Sequence, residues 1–190
     1  MLAFLFIQTI LLVVILFLLY LLSWFWPPDS PWAPWWATNK TTARVMCKLV
    51  KMKKSDFVYD LGSGEGNVLV VAAKEFGAEG VGVEIDPWRV WYATWNARLN
   101  RVSQQVVFLR KNLFDADVSD ASVVFVYLIP KTLKKLESKF LSELKPGSRI
   151  VTYRYPIPYL PMIAEDKERK IFVHEIPRGA KSKVRKAKRN

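Results

Sequence analysis

Two carboxylates, Asp60 and Glu84, bracket three alternating glycines, Gly62, Gly64 and Gly66, and Glu84 follows the last of these by eighteen residues. Glycines so placed let a backbone turn tightly and approach a ligand where a Cβ would block it. A carboxylate at a strand end can accept both hydroxyls of a ribose. A pyrophosphate loop reads G-x-G-x-x-G. Here the spacing is Gly62-x-Gly64-x-Gly66, with Asp60 ahead of the first glycine. A carboxylate in that position repels a phosphate and suits a ligand that carries an ammonium and a sulfonium.

The elements that must hold these groups are legible around them. Phe57-Val58-Tyr59 reads as a buried strand, and Val68 to Phe76 has apolar residues at helical spacing. Val81-Gly82-Val83 is the next strand, which Glu84 ends. Strand, glycine turn, helix, strand and carboxylate make a nucleotide-binding half of a doubly wound sheet. A third strand, Val106 to Leu109, runs into Lys111-Asn112-Leu113. A fourth, Ser122 to Tyr127, breaks at Leu128-Ile129-Pro130, and Lys131 to Leu144 is an amphipathic helix stopped by Lys145-Pro146-Gly147. The fifth strand is Arg149 to Tyr155, and short strands near Met162–Ala164 and Lys170–Ile176 complete the set. Seven strands in about 150 residues leave no room for a second domain. The expected class is α/β, a Rossmann-like seven-stranded sheet over residues 37–177, preceded by one transmembrane helix.

With its flanking strand, helix and acidic strand end, the Asp60–Gly66 run resembles the first motif of class I S-adenosylmethionine (SAM) methyltransferases. The resemblance implies SAM as cofactor, held by Asp60, Gly62, Ser63, Gly64 and Gly66, with Glu84 on the ribose. It places Ile85 against one adenine face, and Asn112 and Leu113 at the adenine edge. Many class I enzymes have Asp where this chain has Asn112, whose carbonyl oxygen can still pair with the adenine amino group. A purely structural glycine turn leaves Asp60 and Glu84 unexplained. The stretch Glu84-Ile85-Asp86-Pro87-Trp88-Arg89-Val90-Trp91-Tyr92 resembles the membrane-anchored mitochondrial protein-lysine methyltransferases, which modify the adenine nucleotide translocase and the c-ring protein of ATP synthase. Lys111 to Phe114, and the chain on through Glu143 to Arg149, resemble the small archaeal protein-lysine methyltransferases. Together the resemblance covers residues 36 to 176 and implies methyl transfer to protein lysine. Asn112 is shared with the archaeal group and replaced by Asp in the mitochondrial one.

The end of strand four bears on the acceptor. Enzymes that methylate base amino groups carry Asp/Asn-Pro-Pro-aromatic there, whereas this chain has Tyr127-Leu128-Ile129-Pro130. No His/Asp cluster suggests a metal, and none is expected. The one histidine, His174, is read as structural or exposed. Lysine methylation is chiefly a positioning task, in which an apolar, cation-bearing site favours the neutral amine and no dedicated base is required. The rim residues that could orient the amine are Tyr127, Pro130, Tyr153 and Tyr155; each tyrosine reads equally well as a packing residue of its strand. Trp88, Trp91 and Trp95 share one helical side and are expected to pack on the sheet, with Trp88 nearest the cofactor. Asp115, Asp117 and Asp120 read as solvated loop acids.

Residues 2 to 26 contain no charged side chain. Twenty-five residues suffice to cross a ~30 Å hydrocarbon core at ~1.5 Å per residue, and Tyr20, Trp24 and Trp26 suit an interfacial belt. The segment lacks the basic start and small-residue cleavage site of a signal peptide. Lys40, Arg44, Lys48, Lys51, Lys53 and Lys54 follow it, so the positive-inside rule puts the domain on the cytoplasmic face of a prokaryotic plasma membrane, or on the matrix side of a mitochondrial inner membrane. A lone cysteine, Cys47, permits no intrachain disulfide, in keeping with a reducing compartment. Between span and domain, residues 27–36 hold four prolines and three tryptophans; the rings lie either in the headgroup layer or on the domain.

The formal net charge is +12, and residues 178–190 contribute seven basic side chains and no acid. Such a tail is expected to be disordered, with an anionic lipid surface as its partner. A solvated tail is the next reading, and nucleic acid is disfavoured because no aromatics interleave for base stacking. The leading function is a membrane-anchored protein-lysine methyltransferase acting on a protein in or near its own bilayer. The alternatives are a methyltransferase for a lipid headgroup amine or quinone, and a non-enzymatic SAM-binding membrane scaffold.

Overall fold

A computed structural model describes residues 2–25 and 38–179. The Pro/Trp segment at 27–36 and the basic tail from residue 180 lie outside the described residues. The chain divides into two units, one N-terminal and one holding the rest of the protein.

The N-terminal unit is one helix, α1, Leu2–Phe25. Its Phe4–Leu21 window has mean hydropathy 2.9 and none of it is buried, so it is long and apolar enough to cross a membrane. At 1.5 Å per residue it is about 36 Å long.

The second unit begins with α2, Lys40–Leu49, which Asn39 caps by accepting from the Thr42 N–H at 2.8 Å. This helix is absent from the sequence-based expectation, although a cap followed by buried Ala43, Met46 and Cys47 carries the signal. Then follow β1 Phe57–Leu61, α3 Asn67–Phe76, β2 Glu79–Glu84, α4 Pro87–Leu99, β3 Val106–Arg110, β4 Val123–Val126, α5 Pro130–Glu143, β5 Arg149–Tyr153, β6 Met162–Asp166 and β7 Ile171–Glu175. All seven strands form one sheet of order β3-β2-β1-β4-β5-β7-β6. The first five are parallel; β7 runs antiparallel to β5, and β6 to β7. Strand order therefore reverses between β1 and β4, which is where a doubly wound sheet opens a crevice at its carboxyl edge. Helices α2, α3 and α4 cover one face and α5 covers the other, each closing its own apolar cluster.

Strands four and five are shorter than their apolar runs suggest. Strand β5 stops at Tyr153 because Arg154 takes a left-handed conformation, φ 69°, that no regular strand continues through.

At the opposite edge of the sheet, buried Asp56 pairs with Arg149 and accepts from Ser122 Oγ at 2.8 Å and the Lys53 N–H at 2.7 Å. Arg149 also donates to the Val50 carbonyl at 2.7 Å. This cluster ties β1, β4 and β5 to the end of α2, far from the crevice, and its role is structural. His174 is structural as well. It is buried, its Nε2 accepts from the Ile157 N–H at 3.1 Å, and burial lowers its pKa.

The tryptophan stripe contradicts the expectation. Trp88, Trp91 and Trp95 do not pack on the sheet: Trp91 is 63% exposed and Trp95 46%. Helix α4 instead turns Ala93, Asn96 and Ala97 inward. Small residues allow the helix to lie close to β3 and to α3, and bulky rings cannot occupy that gap.

Candidate active site

The glycine turn joins β1 to α3 at the carboxyl edge. All three glycines have positive φ, 88° at Gly62, 51° at Gly64 and 75° at Gly66. Gly62 and Ser63 both donate to the Val83 carbonyl, at 2.8 and 3.1 Å, which pins the turn to β2. A Cβ on Gly66 would stand 2.5 Å from the Phe108 ring and 3.0 Å from Ala93. Gly62 is different: only Leu128 approaches, at 4.0 Å, so its requirement is conformational.

Glu84 is buried at the end of β2 and organises the turn from beside it. Its Oε2 accepts from the Gly64 N–H at 3.0 Å; its Oε1 accepts from the N–H groups of Ile85 and Asp86, at 2.9 and 3.1 Å. Three of the roughly four acceptor positions of a carboxylate are used, and the remaining one is on Oε2, the oxygen facing the glycine turn. Asp60 is equally buried. Among the described residues no ion pair involves either carboxylate. Burial, and then the charge of Glu84, push the Asp60 carboxyl up to about 7. Two buried carboxylates with no cation between them form a site for a positively charged ligand.

Neighbouring side chains brace this arrangement. Buried Asn96 donates from α4 to the Glu65 carbonyl at 3.0 Å and to Asn67 Oδ1 at 3.2 Å, and Asn67 donates to the Thr38 carbonyl at 3.1 Å. Asn96 is not among the residues expected from sequence, where its only signal is a polar residue on a helical face otherwise made of alanine. Lys111 donates its N–H to the Glu84 carbonyl at 3.0 Å, so Asn112 and Leu113 leave β3 beside Glu84. Asn112 is exposed, and its Oδ1 accepts from the Phe114 N–H at 3.1 Å, so one of the two lone pairs expected to reach an adenine is in use. Ile85 and Leu113 are half-buried.

On the other side of the crevice the register sets Leu61 beside Val126 and Val126 beside Thr152, so Tyr127 leaves β4 level with Gly62. Tyr127 and Tyr153 meet edge to face, ring centroids 4.7 Å apart, and the Arg154 guanidinium is 5.9 Å from the Tyr127 ring centre. Of the four expected rim residues the structure thus brings two into contact. Pro130 is exposed in the first turn of α5, and Tyr155 is exposed beyond the end of β5. Among the described residues three buried hydroxyls lack a hydrogen-bond partner: Ser63 in the turn, Tyr127 after β4 and Thr152 near the end of β5. All three belong to the carboxyl edge, and each orphaned group costs about 1–3 kcal/mol unless a ligand or water satisfies it.

Residues 60–164, more than half the chain, match the family described as the ANTKMT methyltransferase domain. The chain belongs to this family. It is similar to a protein-lysine N-methyltransferase of Saccharolobus islandicus, 36% identical over 131 residues that span 68% of this chain and 80% of that one. It is also similar to the ATP synthase C-subunit lysine N-methyltransferase of Xenopus laevis, 30% identical over 66% of this chain and 54% of that one. The chain thus spans about half the length of the Xenopus relative. Among solved structures it resembles a protein described as an RNA methyltransferase of Salinibacter ruber in complex with S-adenosylhomocysteine (SAH). That likeness has 34% identity and a TM-score of 0.71 over 75% of this chain and 95% of that one.

A SAM-dependent methyltransferase of this family needs a pocket for a cationic nucleoside, and the residues here fit one. The glycine turn has no Cβ to block backbone approach, Glu84 Oε2 keeps one acceptor position, and Asp60 is a buried carboxyl with no ion pair among the described residues. The raised Asp60 value fixes a pH dependence. The folded protein holds this proton more tightly than the unfolded chain. Its stabilising contribution is full below the ordinary value of about 3.9 and is lost as pH rises through about 7. A cationic ligand held beside Asp60 would need this carboxyl ionised, so its binding would release the proton. SAM affinity measured by calorimetry should rise with pH between 5.5 and 7, by up to about tenfold per unit, and then level off. Asp60→Asn should flatten that profile; a slope unchanged in the variant would assign the titration to another group.

Proposed function

We propose that this enzyme methylates the ε-amino group of lysine on a protein that lies in or beside the membrane entered by α1. The observation that carries the acceptor site is the Tyr127–Tyr153 pair, set next to the glycine turn with a buried, unsatisfied phenol. The names of the archaeal and amphibian relatives support lysine as the acceptor. Bound SAM would supply an electrophilic methyl group to a lysine amine that has already lost its proton to solvent, leaving a methylammonium and SAH.

The chain's own residues do the positioning. Asp60, Gly62, Ser63, Gly64, Gly66 and Glu84 hold the cofactor, with Ile85, Asn112 and Leu113 around the adenine. Tyr127 and Tyr153 form an aromatic wall along which an aliphatic lysine stem can lie, and the Tyr127 hydroxyl accepts from or donates to the amine. The Arg154 charge near this wall lowers the pKa of an arriving lysine and favours the nucleophilic, neutral form. Pro130 and Tyr155 form the outer rim.

In this reading α1 is an uncleaved anchor, residues 27–36 are the linker and residues 37–177 are the catalytic domain. The basic stretch from Lys40 to Lys54 keeps the domain on the cytoplasmic or matrix side. Tethering raises the effective concentration of enzyme and substrate without any new contact. The basic tail adds attraction to an anionic lipid surface.

Full-length protein incubated with tritiated-methyl SAM and host membranes tests the proposal, with label partitioned among protein, solvent-extracted lipid and RNA. Label in a discrete protein band, released as methyl-lysine on hydrolysis, is the expected result. Label in lipid would move the acceptor to a headgroup or quinone. Label in RNA would give this chain the substrate class named for the Salinibacter protein. Tyr127→Phe keeps the ring contact and should lower kcat by about ten- to a hundredfold, with SAH affinity within about twofold of wild type.

A further inference from the structure

Helix α4 presents its largest side chains outward. Trp88, Trp91, Tyr92, Trp95 and Leu99 are all exposed and share one face, Trp88 being three and four residues from Trp91 and Tyr92, and Trp95 four and three residues beyond them. Trp91 and Trp95 stack with ring centroids 6.4 Å apart and planes 3° from parallel, and Tyr92 lies 6.1 Å from Trp95. Three tryptophans and a tyrosine in solvent on one thirteen-residue helix form an apolar patch of the kind that marks an interaction site.

The composition indicates which kind. Tryptophan and tyrosine favour the boundary between hydrocarbon and headgroups, where the ring is buried and its polar atom stays wet. From residue 86 to residue 111 there are five basic side chains, Arg89, Arg98, Arg101, Arg110 and Lys111, against the single acid Asp86. An aromatic face on a segment of net positive charge matches an anionic bilayer surface in both chemistry and charge. The same chain carries an apolar 24-residue helix.

We propose that the outer face of α4 docks on the anionic headgroup layer of the bilayer, as a second membrane contact besides α1. This rests on the anchoring read above. Trp88 follows Glu84 by four residues, so docking sets the cofactor end of α4 at the membrane surface. A SAM site held there meets lysines that project from membrane proteins close to the headgroups. A lysine far from the bilayer would be out of reach.

Hydrogen–deuterium exchange on full-length protein distinguishes the possibilities, in nanodiscs of phosphatidylglycerol, in nanodiscs of phosphatidylcholine and in detergent micelles. In phosphatidylglycerol, exchange over residues 87–101 should slow by about threefold or more relative to micelles, and less in phosphatidylcholine. Trp91→Ser/Trp95→Ser should restore fast exchange there, with α1 still protected and SAH affinity unchanged. Equal exchange of α4 in all three environments while α1 is protected would overturn the docking surface and leave the anchor. Protection of α4 with α1 exchanging freely would refute the anchor and leave the docking surface. Protection that develops in micelles and grows with protein concentration would assign the face to a second copy of the chain and overturn the proposal.

Discussion

Glu84→Ala should reduce SAH affinity by at least about a hundredfold, because the side chain has two tasks that fail together. In the proposed site the one acceptor position left on Oε2 takes a ribose hydroxyl, and a charge-assisted hydrogen bond of that kind is worth about 1.5–3 kcal/mol. The carboxylate also collects the N–H groups of Gly64, in the turn after β1, and of Ile85 and Asp86, after β2. Without it those donors lose their acceptor and the turn loses its brace to the end of β2. Glu84→Gln separates the two effects. Its amide oxygen replaces one carboxylate oxygen, but its NH2 faces a backbone donor, so affinity should fall nearly as far while shape and volume are kept. Calorimetry with SAH measures both, and circular dichroism checks that the fold persists. Affinity within about tenfold of wild type in both variants would remove Glu84 from the cofactor site.

Gly66→Ala is expected to destabilise the protein by about 3 kcal/mol or more. Holding an L residue in the left-handed region costs about 1–2 kcal/mol, and Gly66 has φ 75°. The added methyl would also meet Phe108 Cζ at 2.5 Å and Ala93 Cβ at 3.0 Å, an overpacking that typically costs a further ~1–3 kcal/mol. The Phe108 ring cannot retreat easily, because it also fills the space over Gly82, where a Cβ would stand 2.4 Å from it. Gly62→Ala is the comparison. It has a similar φ but open space, so it should show the conformational cost alone, roughly half the effect. Urea denaturation of the pair, with Gly66→Ala/Phe108→Leu as partial rescue, checks the division. Equal losses for Gly62→Ala and Gly66→Ala would show that contact with Phe108 is unimportant.

Features that depend on local chemistry are already set by the order of the residues. Alternating glycines after a β-branched strand can form only a tight turn, and the carboxylates at 60 and 84 are set by strand length, so Asp60, Gly62, Gly64, Gly66 and Glu84 were legible. Element order sufficed for seven strands, and an uncharged run of twenty-five residues for α1. Tertiary packing governs what depends on which atoms meet. Helical spacing grouped Trp88, Trp91 and Trp95 on one side of α4, yet only packing against the sheet revealed that this side faces out, because Ala93 and Ala97 fit the gap and indoles do not. Strand register brought Tyr127 against Tyr153 and left Pro130 and Tyr155 at the rim. Asn96 became a brace of the glycine turn only because α4 lies over it. Periodicity assigns a face to a helix, but the close-packed interior chooses which face to bury, and it chose by volume rather than by hydrophobicity.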